Sequence, residues 1–289
     1  MVSVKAKVYA KINLSLDITG KRPDGYHTLC SVMQSVSLYD TVVISLKEST
    51  KAELKLTCSN GTICGEDNLA FVAAKRFFEA AGILPDADIY IEKRIPLAGG
   101  LGGGSADAAA VLAILNSVWD NPLSEQEVFN IALSLGADVP FCLYGGTKLA
   151  EGIGEELTPL KNMPSSPMLI AKKGVKSSTG AMYKALDSAE ALKTSDLDII
   201  KEGLQNESVE QLSKGLYNCF ETVCGDDSLS VKAEMQKLGA VYAGLSGAGP
   251  SVFGIFKTLE DRDNAEKVLK TKGCEVFACA PTNKSFEII

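Results

Sequence analysis

Histidine is nearly absent from the sequence: His27 is the only one in 289 residues. A multi-histidine zinc site therefore cannot be built, and a Ser-His-Asp triad would have to run through His27 alone. The eight cysteines (Cys30, Cys58, Cys64, Cys142, Cys219, Cys224, Cys274 and Cys279) include no Cys-x-x-Cys pair, which excludes zinc-ribbon and thioredoxin motifs. No uninterrupted apolar run approaches the roughly 20 residues of a membrane-spanning helix. The opening Met1-Val2-Ser3-Val4-Lys5 has no signal-peptide apolar region. These absences predict a cytoplasmic protein with reduced thiols, most of them small buried hydrophobes, and no membrane partner. Positive charge is in deficit, with 29 Lys and Arg against 36 Asp and Glu and a net charge of −7. That argues against nucleic acid as a partner. An anionic small-molecule substrate would need a locally basic or backbone-lined pocket.

What is present suits a globular protein: 46% apolar and 22% charged residues, in a length that allows one large or two ordinary domains. There is no internal repeat. Residues 4–18 alternate, with Val4, Ala6, Val8, Ala10, Ile12, Leu14, Leu16 and Ile18 on one face and Lys5, Lys7, Tyr9, Lys11, Asn13, Ser15 and Asp17 on the other. Period two predicts a half-buried strand or bent pair, with Lys11 and Asn13 pointing the same way. Pro23-Asp24-Gly25 signals a turn, and residues 36–46 read as strand. Helical spacing covers 68–81, with Gly82 as C-cap. A strand over 88–95, a helix over 105–119 and a helix over 125–135 follow. Beyond Pro164-Ser165-Ser166-Pro167, a linker signal, the reading is strand 168–171, helices at 179–192, 207–224 and 228–238, strands at 240–245 and 252–256, helix 259–271 and strand 274–279. This order favours two α+β domains, at 1–160 and 161–289, over one doubly wound sheet.

The strongest local signal is Pro96-Leu97-Ala98-Gly99-Gly100-Leu101-Gly102-Gly103-Gly104-Ser105-Ala106. Five of the six residues 99–104 are glycine, and small residues then open a helix. Bare backbone N–H groups and a helix N-terminus suit phosphate oxygens; a flexible loop before a core helix is the plainer alternative. No Lys follows the final glycine, so it is not a Walker A loop, and no Gly-x-Gly-x-x-Gly register fits. Ser105 is placed to cap the helix, bind phosphate or approach Mg2+. Lys11, taken alone, is a solvated lysine, and Asp138, in the apolar run Gly136-Ala137-Asp138-Val139-Pro140-Phe141, a turn or helix-terminus residue. Phosphoryl transfer needs such a pair, a carboxylate for the acceptor hydroxyl and a cation beside it, but spacing alone does not bring the two together. The turn Gly244-Leu245-Ser246-Gly247-Ala248-Gly249-Pro250-Ser251 is either a hairpin or a close approach to the substrate or the first glycine loop. Tyr26-His27, after the turn, is either ordinary loop or a stack and a hydrogen bond for a base.

Taken together, the Lys11-Ile12-Asn13 strand, the Pro96–Ser105 loop and the late Gly-Ala-Gly-Pro-Ser turn resemble the GHMP kinase superfamily. Ala10-Lys11-Ile12-Asn13-Leu14-Ser15-Leu16, Gly20-Lys21-Arg22-Pro23-Asp24-Gly25-Tyr26-His27 and Gly136–Phe141 resemble its 4-diphosphocytidyl-2-C-methyl-D-erythritol kinase family in particular. The resemblance spans residues 5–256. It implies a ribosomal-protein-S5-like N-terminal domain beside a ferredoxin-like C-terminal domain. The implied activity is ATP-dependent phosphorylation of the 2-hydroxyl of the methylerythritol moiety, in the non-mevalonate isoprenoid pathway. By the same resemblance, Asp138 would be the base or orienting carboxylate and Lys11 its partner. Pro96 to Ala106 would wrap the ATP phosphates, with Asn68 near the nucleotide, Asn13 near the acceptor, Tyr26 and His27 on the cytosine, and Thr179 and Tyr183 among the substrate contacts. Ala106 stands where some members carry a second Ser. Lys11, Lys93 and Arg94 would supply nearby charge. Mg2+ would arrive with ATP, held mostly by phosphates and water, so no residue is assigned to a metal. A monomer or homodimer is expected. The competing readings are a GHMP kinase for another small alcohol and a nucleotide-binding regulator without turnover; the latter would need neither Lys11 nor Asp138.

Overall fold

The structure is a computed structural model that describes residues 2–46, 53–84, 86–175, 178–189 and 193–289. Two sheets organise it. The strands in chain order are β1 (Val2–Lys21), β2 (His27–Leu46), β3 (Glu53–Cys58), β4 (Asp86–Glu92), β5 (Thr147–Glu151), β6 (Glu156–Pro159), β7 (Met168–Lys172), β8 (Tyr242–Leu245), β9 (Val252–Ile255), β10 (Glu275–Cys279) and β11 (Phe286–Ile288). The large sheet runs β11-β1-β2-β4-β3, with β5 and β6 branching from the far part of β2; the small sheet runs β10-β7-β9-β8. The helices are α1 (Leu69–Ala81), α2 (Gly103–Val118), α3 (Glu125–Leu135), α4 (Asp138–Tyr144), α5 (Thr179–Asp187), α6 (Leu197–Gln205), α7 (Val209–Gly215), α8 (Asp226–Lys237) and α9 (Leu259–Thr271). No helix of the described residues is long and apolar enough to cross a membrane.

β1 is where the two halves meet. Its apolar alternation does not serve one core. Ala6 and Val8 pack with α1 and α2, whereas Ala10, Ile12 and Leu14 pack with Met168, Ile170, Phe253 and Ile255 of the small sheet. A register shift against β2 between Tyr9 and Ala10 separates the two stretches; such bulges bend a strand and re-aim its side chains. The opposite face is covered too, so Lys11 and Asn13 are each only 3% exposed and Ser15 is buried. The solvated polar face expected from the alternation is, from residue 11 onward, an internal one. α2 is buried on nearly all sides through Ala106, Ala108, Ala109, Ala110, Val111, Leu112 and Leu115; its alanines let α1 and the sheet come close.

Several boundaries differ from the sequence reading. α1 ends as expected, with Asn68 accepting from the Ala70 N–H and Gly82 left-handed at φ 65°. α2 starts two residues early, so Gly103 and Gly104 form its first turn. Gly102 is its N-cap, which corrects Ser105 as a capping residue. β4 stops at Glu92 because the next backbone N–H groups bond to side chains: Lys93 to Ser59 Oγ, Arg94 and Ile95 to Asp40. The expected helix over 207–224 is two pieces. α7 ends at Gly215, a bridge joins Leu16 to Asn218, and a 3-10 turn covers Cys219–Thr222. The helix expected over 179–192 ends at Asp187, and residues 190–192 lie outside the described residues. α6, β3, β5 and β6 were not anticipated. β11 pairs with β1, so the chain is not divided by one cut near residue 160; residues 286–288 return to the large sheet.

The two glycine-rich turns touch. A Cβ added at Gly100, where φ is +79°, would lie 2.2 Å from the Ser246 carbonyl oxygen. Ser246 Oγ donates to the Gly100 carbonyl at 2.9 Å, and the Ser251 N–H donates to the Gly99 carbonyl at 3.3 Å. The late turn is thus a close approach to the first glycine loop. Gly100→Ala combines a backbone clash with a left-handed conformation, and we expect it to cost at least about 2 kcal/mol, read as a lowered urea midpoint at unchanged slope.

Candidate active site

The glycine loop, β1 and α4 converge on one ion pair. Lys11 Nζ lies 3.2 Å from Asp138 Oδ2 and donates to Asn13 Oδ1 at 2.7 Å. An ammonium shut away from water must find its partners in the protein, and these two oxygens provide them. Asn13 Nδ2 donates in turn to Ser31 Oγ at 2.8 Å, and Ser31 Oγ to the Ser15 carbonyl at 2.6 Å. The chain of bonds fixes the asparagine and through it the lysine. The Lys11 N–H donates to the Leu101 carbonyl at 3.0 Å, so the glycine loop is stitched to β1 beside the pair. Asp138 is the first residue of α4. Its side chain is 42% exposed against 4% for Lys11, so the carboxylate faces open space while the cation is enclosed.

That space is a cleft of about 590 Å3 lined by Lys11, Asn13, Asp138, His27, Thr179 and Tyr183 among others. A second trough, of about 460 Å3, follows Pro96 to Ser105 and shares Leu69, Gly100, Ser105 and Thr179 with the first. Ala106 is buried; its N–H makes the first bond of α2, to the Gly102 carbonyl at 2.8 Å. The N–H groups of Gly103, Gly104 and Ser105 precede that bond, and no side chain caps them. Donors left over in this way at a helix N-terminus suit phosphate oxygens, and their residue set fits a polyphosphate. No group of three or more His, Cys, Asp or Glu among the described residues could hold a metal ion.

The cleft mouth is built on α5. Thr179, Tyr183 and Asp187 recur at helical spacing, and all three line the cleft. The Tyr183 ring stacks on His27 at 4.7 Å and meets Phe220 edge-on at 5.0 Å. Burial, and then the negative charge of Asp138, push the Tyr183 hydroxyl up to about 12, so it stays a proton donor at neutral pH. Asp187 accepts from Lys21 at 2.6 Å and lies 2.6 Å from His27 Nε2. These bonds hold its carboxyl below the usual range, Lys21 contributing most. Tyr26 stands at the rim, 61% exposed.

Not every expected residue reaches the cleft. The Asn68 amide is spent at the start of α1: its oxygen accepts from Ala70 N–H, and Nδ2 donates to the Ile63 carbonyl at 2.8 Å. Leu69 beside it lines both spaces. Lys93 gives no free charge to the glycine loop, because its ammonium is buried between Asp40 and Asp107. Arg94 is turned to Glu92 and the Tyr39 ring. The sequence reading missed Asp187, Phe220 and Asn218. Asn218 Nδ2 donates to the carbonyls of Leu245 and Gly247 at 2.8 and 2.9 Å and so holds the second glycine turn. Its cap position before a 3-10 turn was the available signal, obscured by reading 207–224 as one helix.

A glycine-rich helix start with no side-chain cap, a buried lysine paired to a carboxylate and two joined sheets together define a GHMP kinase. The model of the GHMP kinase N-terminal domain matches residues 68–146, and that of the C-terminal domain residues 188–274. More narrowly, the chain belongs to the 4-diphosphocytidyl-2-C-methyl-D-erythritol kinase family. It is 39% identical to the member from Clostridioides difficile (strain 630), over 99% of this chain and 97% of that one. It is 41% identical to the member from Caldicellulosiruptor saccharolyticus, over 97% of each. A crystal structure of 4-(cytidine 5'-diphospho)-2C-methyl-D-erythritol kinase superposes with a TM-score of 0.84 at 30% identity, covering 97% of this chain and 100% of that one. Homoserine kinase from Cytophaga hutchinsonii, at 20% identity and a TM-score of 0.73 over 99% of this chain and 97% of that one, shares the fold.

Two glycines of the loop should respond oppositely to a methyl group. At Gly102, φ is +68° and a Cβ would lie 2.8 Å from Lys11 Cγ; at Gly104 the nearest atom would be Leu69 Cδ1 at 3.7 Å. Thermal denaturation should show Gly102→Ala destabilised by about 1 kcal/mol or more and Gly104→Ala stabilised by about 0.5–1 kcal/mol.

Proposed function

We propose that this chain transfers the γ-phosphoryl group of ATP to the 2-hydroxyl of 4-diphosphocytidyl-2-C-methyl-D-erythritol, in the non-mevalonate route to isoprenoids. The observation that carries the reading is the Lys11–Asp138 contact in the cleft, which shares Gly100 and Ser105 with the glycine trough. ATP would lie along the trough, its phosphates on the N–H groups of residues 103–105. The acceptor would enter the cleft with its hydroxyl at Asp138. The half-exposed carboxylate orients that hydroxyl and takes its proton as the new bond forms. Lys11 holds the carboxylate in place and offsets charge on the phosphoryl group in flight. Loose phosphoryl-transfer transition states ask little more of a protein than such positioning and charge. Asn13, fixed by Ser31, orients Lys11 and borders the acceptor.

Mg2+ would come with the triphosphate and be held by its oxygens and water. At the cleft mouth, Tyr26, His27 and Tyr183 offer a base two rings and an imidazole edge. His27 Nε2 is taken by Asp187, so a cytosine would have to meet the other ring nitrogen. Thr179, at the start of α5, lines both trough and cleft, where the two substrates would meet.

The test mixes purified protein with Mg-ATP and 4-diphosphocytidyl-2-C-methyl-D-erythritol, with mevalonate, homoserine and galactose as parallel acceptors, and reads one added phosphate by mass spectrometry. Phosphorylation of the cytidyl substrate alone is expected. Transfer to another acceptor would discard the cytosine site. ATP binding without transfer to any of them would indicate a regulator. Asp138→Asn should lower turnover by at least about two orders of magnitude, the usual contribution of a positioned acid or base; a rate near that of the unchanged protein would remove Asp138 from the mechanism.

A further inference from the structure

Behind the glycine loop lies a buried charge cluster that the proposed reaction does not use. Asp40 Oδ1, on β2, accepts from the N–H groups of Arg94 and Ile95 at 2.5 and 2.8 Å. Its Oδ2 accepts from Lys93 Nζ. Lys93 Nζ also donates to Asp107 Oδ2, one turn inside α2, at 2.7 Å. The side chains of Asp40, Asp107 and Lys93 are 0%, 2% and 5% exposed. Asp107 Oδ1 is buried with no hydrogen-bond partner. Burial opposes the Lys93 charge, but Asp107 and Asp40 outweigh it. With one ammonium between two carboxylates, burial pushes the Asp107 carboxyl up to about 7.

Three enclosed charges with an oxygen left over are a poor way to gain stability, since apolar side chains of similar volume would serve as well. What the cluster does gain is geometry. Its contacts fall on Lys93, Arg94 and Ile95, immediately before Pro96, and on Asp107, two residues after Ser105. These are the entry and exit of the glycine loop, and between them no glycine offers a side chain to hold the loop's shape. The two ends touch: a Cβ at Gly103 would meet Ile95 Cγ2 at 3.0 Å and Lys93 Nζ at 3.3 Å.

We propose that Asp40, Lys93 and Asp107 form a strap that ties the two ends of the glycine loop together and so sets its N–H groups for a polyphosphate before the nucleotide arrives. Asp40 and Asp107 are positioning residues that do not line the trough; Lys93, which joins them, does line it. The strap rests on the reading of the loop as the nucleotide site. A loop set in advance loses less freedom on binding, so loosening the strap weakens nucleotide affinity while the acceptor side of the cleft, built on β1, α4 and α5, is untouched.

Titration calorimetry with ADP, together with KM for the cytidyl acceptor at saturating ATP, tests this on two variants. Asp107→Asn keeps the shape and removes the charge. Asp40→Asn does the same on the β2 side, at a residue that does not line the trough. Each should bind ADP about tenfold or more weakly, the scale of a disturbed charged hydrogen bond, with acceptor KM within about twofold and an unchanged circular dichroism spectrum. ADP affinity within about twofold of the parent in the folded variants would overturn the strap, as would an equal rise in acceptor KM, the mark of a general loss of structure. If Asp107→Asn does not fold, Asp40→Asn decides alone. Failure of the unchanged protein to bind ADP would overturn the nucleotide reading of the loop and the strap with it, a result separable from equal binding by parent and variants.

Discussion

A methyl group on Gly100 would sit 2.2 Å from the Ser246 carbonyl oxygen, and that lack of room governs the cleft. Two backbones from different sheets meet there with no side chain between them. On one side the glycine loop is bonded to β1 through Leu101 and Lys11; on the other it is bonded to the second turn through Ser246 and Ser251. Asn218 holds that second turn from behind. The loop is thereby suspended between the two halves of the molecule, and the distance from its N–H groups to the Lys11–Asp138 pair follows from this contact.

The electrostatics follow from scarcity. A chain with a net charge of −7 repels a polyanion at long range, yet it spends little of its positive charge in the trough. Lys93 is consumed by two carboxylates and Arg94 by Glu92. Attraction is left to N–H dipoles at the start of α2 and to Lys11. Dipoles fixed by a helix need no reorganisation when charge develops nearby. A single enclosed cation, held by Asn13 and Asp138, keeps its position when solvent is displaced. Such a site selects by geometry more than by charge density, which suits a protein that must admit two anionic molecules side by side.

Local features were legible in the sequence. The α1 boundaries followed from Asn68 and Gly82, the trough from its run of glycines, and β1 from its alternation. The burial of Lys11 was not legible, because what lies against it comes from Leu101, Gly102 and Asp138, far along the chain. The same distance hid the fate of Lys93: nothing near it announces that Asp40 and Asp107 will enclose it. Asn68 illustrates the converse, a residue singled out by resemblance whose side chain is committed to capping. Where the reading of elements failed, at α6 and at the break between α7 and the 3-10 turn, tertiary contacts overrode pattern. A Cβ at Gly215 would lie 2.5 Å from the Asp196 carbonyl, so that helix ends where α6 begins to press on it. The family resemblance supplied what spacing could not, the meeting of residues 11 and 138.

The pairing of β11 with β1 bears on how the protein comes into being. Ala6, Lys7 and Val8 take Ile288, Glu287 and Phe286 as neighbours. On the ribosome the strand that carries Lys11 emerges long before β11, and its outer edge is sealed only after the whole small sheet has been translated. For most of synthesis that edge presents free N–H and C=O groups to any other extended chain. Its protection lies in the charges it bears at Lys5 and Lys7, the residues that make nascent chains poor at joining edge to edge.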